Sequence, residues 1–404
     1  MSSIMRIILI ISFAFLTNHF VSGQLEDYSF GEGFRYKAKD TTFSIKAAFR
    51  FQLLSRSDWD VRNDDPGNIG GLETNFLVRR ARLKFNGFAF SPRLEYKFEL
   101  GLTNRDINNS NTTYFGGGSN VILDAFVDWN FYGGFTLRAG QTKLPGNRER
   151  VLSSANMQFV NRSVLNSKFN LDRDVGLSLS YAKTLGKQFG VEIIGAFSQG
   201  EGRNIIAGNQ GGYQYTVRAE FLPLGKFHKK GDYVGSAMYR EEKPKLSIGV
   251  SVDQNTNAAR SRGNLGDFLP ADARFKSLQS VFVDFMFKYS GFSMMGEYVI
   301  RDTDDRNSFY LDESGQNIAG YYYTGAALNL QAGWMFKNNV EIAGRYARLA
   351  PTHDLIGVDE NHYFLALSKF IVGHKLKIQT DVGYMQKDVV DDGLMWRVQF
   401  DLHL

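Results

Sequence analysis

The residues best suited to handling a solute are basic and cluster in one stretch. Between 143 and 174 stand Lys143, Arg148, Arg150, Arg162, Lys168 and Arg173, against Glu149, Asp172 and Asp174. A guanidinium stays protonated and presents forked donors that match phosphate or carboxylate oxygens, so such a cluster beside water concentrates anions and replaces part of their hydration. A second reading stays open, in which the same charges pair with acidic neighbours and only pin the segment. A second basic set, Lys46, Arg50, Arg80, Arg82 and Lys84, recurs at spacings of two or four. Covalent chemistry has little support: the chain has no Cys and six scattered His. The one pairing suited to activating a water is His353-Asp354 with Asp304-Asp305, as in a barrel hydrolase active at its rim. No catalytic residue, cofactor, metal site or nucleic-acid partner is expected. The acidic groups Asp64-Asp65, Asp302-Asp304-Asp305 and Asp391-Asp392 suit either divalent cations or solvated loop tips.

The elements that position these groups follow from hydrophobic periodicity. Phe43, Ile45, Ala47, Phe49, Phe51 and Leu53 alternate with Ser44, Lys46, Arg50 and Gln52; Leu94 to Leu102 and Tyr213 to Phe221 repeat the pattern against charged residues. Period two means strands with one greasy and one wet face. In a helix those charges would fall around the whole cylinder. Sixteen such segments are expected, near 42–54, 76–90, 92–102, 121–131, 135–143, 174–183, 189–198, 213–222, 245–253, 279–289, 292–301, 322–336, 340–349, 361–370, 375–385 and 395–404. Most have the length that a tilted strand needs to cross a bilayer.

Connection lengths give an independent argument. Long loops at 55–75, 103–120, 144–173, 199–212, 254–278, 302–321, 350–360 and 386–394 alternate with tight turns such as Ser91-Pro92, Tyr132-Gly133-Gly134, Ser290-Gly291 and Lys337-Asn338-Asn339. Only 223–244 breaks the rule. Short turns on one rim and long loops on the other are what traversing a membrane produces, and sixteen strands enclose water rather than a packed core. Arg6 followed by the apolar run Ile7 to Leu16 reads as an export signal. The expected organisation is a signal peptide at 1–23, a short periplasmic segment at 24–41, and an all-β transmembrane antiparallel barrel of about 16 strands at 42–404, with loop 144–173 folded inward. Composition agrees: 41 Gly, 34 Phe and 19 Tyr against 7 Pro, a formal net charge of +5, and a sequence hydrophilic on average. Trp129, Phe131, Tyr132, Trp334 and Trp396 suit interfacial girdles. Alternation also aims Arg93, Lys97, Arg138 and Arg218 at the lumen, together with Glu95, Glu99, Asp124, Asp128, Glu192, Glu220 and Asp284, so the wall carries both signs.

Four stretches carry a family resemblance: Arg79-Arg80-Ala81-Arg82-Leu83, Leu123-Asp124-Ala125-Phe126-Val127-Asp128, Gly140-Gln141-Thr142-Lys143-Leu144-Pro145 and Asp172-Arg173-Asp174-Val175-Gly176. In order and spacing the chain resembles the phosphate-selective porin O and P family. The resemblance implies a sixteen-stranded homotrimeric porin in the bacterial outer membrane whose third long loop forms the constriction. Its partners would be small hydrophilic solutes, anions such as phosphate among them, outer-membrane lipids, and the barrel-assembly machinery acting on the terminal strand. A weakly selective general porin is the alternative. Leu144-Pro145-Gly146-Asn147-Arg148 lacks the aromatic expected after Pro, and the chain ends on Leu404 rather than an aromatic.

Overall fold

The structure, a computed structural model, describes residues 23–25, 29–62, 67–107, 114–115, 120–270 and 272–404. Residues 1–22, nearly all of the expected export signal, and the pair Asp64-Asp65 lie outside the described residues. Sixteen strands form the barrel: β1 Ser44–Val61, β2 Ile69–Ala89, β3 Ser91–Gly101, β4 Ile122–Tyr132, β5 Phe135–Lys143, β6 Arg173–Leu185, β7 Phe189–Ser198, β8 Gln214–Leu222, β9 Lys245–Asn255, β10 Leu278–Tyr289, β11 Phe292–Thr303, β12 Gly325–Met335, β13 Val340–Pro351, β14 Glu360–Val372, β15 Leu376–Lys387 and β16 Asp392–His403. Each runs antiparallel to the next, and β16 closes on β1 with a register from His403↔Arg50 to Asp392↔Val61. Closure satisfies the backbone and leaves no sheet edge in the hydrocarbon. The ladder continues to the last residue, where Leu404 and Phe49 exchange backbone hydrogen bonds of 2.9 and 3.0 Å. Before the barrel, Gly23–Leu25 and Phe34–Ala38 form a short antiparallel pair, and the second of these also pairs with the start of β1.

Strand β10 shows how sequence becomes wall. Gln279, Val281 and Val283 face outward and are exposed, while Ser280, Phe282, Asp284, Met286 and Lys288 point inward and are buried. Valine on the lipid side and polar groups inside are what a bilayer and a hydrated lumen demand. Trp129, Phe131, Tyr132, Trp334 and Trp396 are all exposed. Trp129, Phe131, Phe135 and Tyr181 form a continuous line of ring contacts 4.5 to 6.0 Å between centroids.

Two expected loops differ from the periodicity reading, and the exception at 223–244 takes a defined form. The expected loop at 55–75 is mostly strand: β1 and β2 stay paired as far as Val61↔Ile69. Past the membrane both faces of that ribbon meet water, so alternation disappears while the ladder persists. The loop at 302–321 holds a small two-stranded sheet, Phe309–Leu311 with Ile318–Tyr321. The long connection at 223–244, on the rim of short turns, makes tight turns over His228–Tyr233 that are kinked at the left-handed Lys229 and Lys230, and contacts the inward loop through Gly235 N–H and the Asn156 carbonyl, 2.7 Å apart.

The loop between β5 and β6 fills much of the lumen. It carries two short helices, α1 Arg148–Val151 and α2 Val164–Phe169, the latter capped by the Ser163 hydroxyl, which accepts from Asn166 N–H. Val164, Leu165 and Phe169 of α2 pack on Phe282, Val299, Ala327, Ala347 and Leu349 of β10 to β13. Phe159 packs on Ala343, Phe364, Ala366 and Met395 further round the barrel. The loop therefore leans on the later strands and leaves the space beside β1 to β7. Phe169→Ala should cost about 3–5 kcal/mol of docking energy; the expected outcome is faster proteolysis within 144–172 in barrels that still resist heating in detergent.

Candidate functional site

Beside the loop lie two adjoining cavities that share Arg82, Lys143, Ser154 and Arg173 in their linings. The wider, about 510 Å³, lies toward the short-turn rim and is lined by Lys46, Arg50, Lys84, Lys97, Arg138 and Lys375 among others. The narrower, about 220 Å³, lies toward the long loops. Among the described residues its lining holds eight arginines (Arg79, Arg80, Arg82, Arg105, Arg150, Arg162, Arg173 and Arg203) and Lys143, with only Asp106 and Asp172 as acids.

Most of the expected site residues meet here, each held by its own element. Lys143, the last residue of β5, donates to the carbonyls of Arg150 (2.7 Å) and Leu152 (3.1 Å), capping the end of α1. Arg162 donates to the carbonyls of Glu149 (2.7 Å) and Leu152 (2.9 Å). Arg150 pairs with Asp172, and Arg173 with Asp124 at 2.6 Å. From the wall, Arg50 binds Asp401 (2.7 Å) and the Ser154 hydroxyl (2.6 Å), and Arg80 donates to Gln52. Arg82 reaches Asp106 at 2.9 Å and Glu99 at 3.2 Å. Lys46 and Lys84 line the wider cavity.

Two expected residues lie elsewhere. Arg148 is fully buried on the far side of the loop, 2.7 Å from Asp284 and 3.2 Å from Glu220, so it pins the loop to the wall rather than lining the passage. Lys168 sits over the Tyr323 ring at 5.4 Å, in a separate outer cleft. Three arginines were missed. Arg79 reads as outward by alternation, but the β1–β2 register shifts between Gln52↔Arg80 and Leu53↔Val78. That bulge sets two residues against one and turns both Arg79 and Arg80 inward. Arg105 and Arg203 lie in loops, where no periodicity marks a facing.

The electrostatics of this girdle are one-sided. Arg79 is buried, and its Nε and Nη1 have no hydrogen-bond partner among the described residues. Burial, and then the neighbouring Arg150, push the Arg162 guanidinium well below its ordinary value. Burial would raise the Asp172 carboxyl, but Arg150 and Arg173 outweigh it and hold that group well below the usual carboxylate range. Since a guanidinium keeps its proton at neutral pH, the strain of crowding these cations persists as an attraction for an anion.

The rim pairing suited to hydrolysis is not assembled: His353 Nδ1 accepts from Leu355 N–H, and its ring faces Tyr321, whereas Asp305 pairs with Lys276 at 2.7 Å. Among the described residues no group of three or more acidic or histidine side chains stands placed to hold a metal.

A closed sixteen-stranded barrel with an inward third loop and polar cavities left in its lumen defines an outer-membrane porin. The family described as phosphate-selective porin O and P matches residues 51–384, and the chain belongs to it. It is 24% identical over 351 residues to an uncharacterized protein of Aquifex aeolicus, covering 79% of this chain and 78% of that one. In fold it is similar to an anion-selective porin from Comamonas acidovorans (TM-score 0.53, 10% identity, 90% of this chain and 100% of that one). It is also similar to the outer membrane channel DcaP of Acinetobacter baumannii (TM-score 0.50, 12% identity, 91% and 99%).

Breaking a buried ion pair from one side leaves an uncompensated charge and costs about 3–5 kcal/mol. Arg148→Met should therefore lower the temperature at which the folded barrel unfolds in detergent, while Lys168→Met should leave it unchanged.

Proposed function

We propose that this porin prefers small oxyanions, phosphate among them, and that the arginine girdle between loop 144–172 and strands β1 to β7 is its selectivity element. The observation that carries the reading is the narrower cavity, which among the described residues sets eight arginines and one lysine against two aspartates and includes Arg79, whose Nε and Nη1 have no hydrogen-bond partner there. A buried charge without a partner is costly. Low-dielectric walls focus the field of such a cluster on whatever enters. An oxyanion of forked geometry relieves the crowding and leaves again, because its ligands line a path with cationic groups on both sides.

The alternative, a weakly selective porin, draws on the paired charges of the wider cavity, where Arg138 meets Asp128 at 2.6 Å and Lys97 meets Glu99 at 2.8 Å. We extend the proposal to a homotrimer inserted by barrel-assembly machinery that reads the terminal strand, supported by family membership and by the ladder that runs to Leu404. Hydrolytic activity has no support in the rim residues, and peptide and phospholipid substrates should survive incubation with the protein.

Reconstituted in planar bilayers, the protein should give stepwise conductance, a zero-current potential in a salt gradient of the sign for anions, and a chloride current reduced by added phosphate. Replacing Arg79, Arg150 and Arg162 together with Ser should move that potential toward cation preference in channels that still migrate as folded barrels. Arg79→Ser alone should shift selectivity without loss of heat resistance, since it breaks no protein hydrogen bond at Nε or Nη1. An unchanged potential in all of these would favour the weakly selective reading.

A further inference from the structure

The connection at 223–244 joins two strands on the short-turn rim, where its counterparts are as brief as Gly133-Gly134 or Ser290-Gly291. A few residues would close that gap, yet this segment enters the lumen. Beneath it lies Lys288, which faces inward from the end of β10 and is almost wholly buried. Its ammonium donates to three carbonyls of the segment, those of Gly231 (2.8 Å), Val234 (2.5 Å) and Ser236 (2.7 Å). Three acceptors use all three ammonium donors. An ion buried this way, hydrogen-bonded to carbonyls rather than to a carboxylate, is expensive, and what it does here is gather a stretch of backbone around one point.

We infer that Lys288 is a positioning residue which, by holding residues 231–236 inside the lumen, seats loop 144–172 and thereby sets the width of the passage. The relay is short. Gly235 N–H donates to the Asn156 carbonyl at 2.7 Å, and a Cβ at Gly235 would stand 2.7 Å from Gln158 N, so segment and loop touch backbone to backbone. The wall clamps both partners through Glu341, which accepts from Ser236 Oγ (2.6 Å) and from Gln158 Nε2 (2.9 Å). Two residues before Asn156 lies Ser154, which lines both cavities and receives Arg50 on its hydroxyl and carbonyl. Loosening the segment moves the loop backbone that forms one side of the narrows.

The inference rests on the passage being the conducting path, and wild-type conductance is its control. Lys288→Met and Gly235→Val are each reconstituted in planar bilayers after gel mobility confirms a folded barrel. Gly235 lies in the connection and not in the wall, so its replacement tests the relay even if Lys288→Met does not insert. Both variants should show higher single-channel conductance, noisier current and a zero-current potential closer to zero than wild type. A Ser236→Ala variant, which keeps the carbonyl that Lys288 holds, should lie between them and wild type. Unchanged or lower conductance in folded Lys288→Met and Gly235→Val channels overturns the positioning role. Absence of current from wild-type protein would instead overturn the channel reading itself.

Discussion

The pairing of Arg148 with Asp284 is the interaction on which the rest of the lumen depends. Both side chains are fully shielded from water, 2.7 Å apart, and braced by Glu220 and by Arg218, which also binds Asp284 at 2.7 Å. A sixteen-stranded barrel without an insert leaves a wide aqueous hole. Something must fill part of it, and this pair decides where. An arginine and two carboxylates taken out of water are tolerable only in mutual contact, so the loop is committed to the side of β8 to β10.

Around that anchor the later strands hold the loop with acceptors and donors alike: Arg301 donates to the Phe169 carbonyl at 2.7 Å and Lys377 to that of Ala155 at 2.8 Å. Asp381 accepts from Val160 N–H at 3.1 Å, Glu297 from Glu149 N–H at 3.3 Å, and Glu341 from Gln158. Glu149 itself is gripped by Arg345 at 3.0 Å and by Ser163, joining α1 to the cap of α2. Asp284, Glu297, Glu341 and Asp381 of the wall are thereby engaged in holding the plug. Beside β1 to β7 lies the narrower cavity, whose described lining has nine basic groups and two aspartates. On the proposed reading selectivity follows from packing: the loop covers Asp284, Glu297, Glu341 and Asp381, and the arginine-lined cavity stays on its other side.

The barrel was legible in sequence because a bilayer on one side and water on the other impose period two on every residue of a strand. Where either solvent disappears, the signal does too. Beyond the membrane, Ser55 to Val61 continue as strand without alternation, and in the lumen Phe282 and Met286 are apolar because the loop covers them. The inward loop was legible as a destination for basic residues, though not in its division of labour. Arg79 could be placed only with the bulge in hand, since one inserted residue inverts the facing of everything beyond it. For 223–244, length alone was a signal, and its partner Lys288 looked like an ordinary inward residue at the end of a strand.

Arg148 and Arg150 show why residue type alone could not separate pin from passage. They occupy the first and third positions of a single helical turn, and at 3.6 residues per turn their side chains leave the axis about 200° apart. One must therefore face the wall when the other faces away from it. Once Arg148 is taken by Asp284, Arg150 is turned toward the narrower cavity, where Asp172 partners it. The carbonyls that close that turn are collected by Lys143 and Arg162, so two further cations are drawn to the same edge by ordinary helix-end chemistry. A turn too short to show periodicity thus assembles the basic edge of the passage from one buried contact on its opposite side.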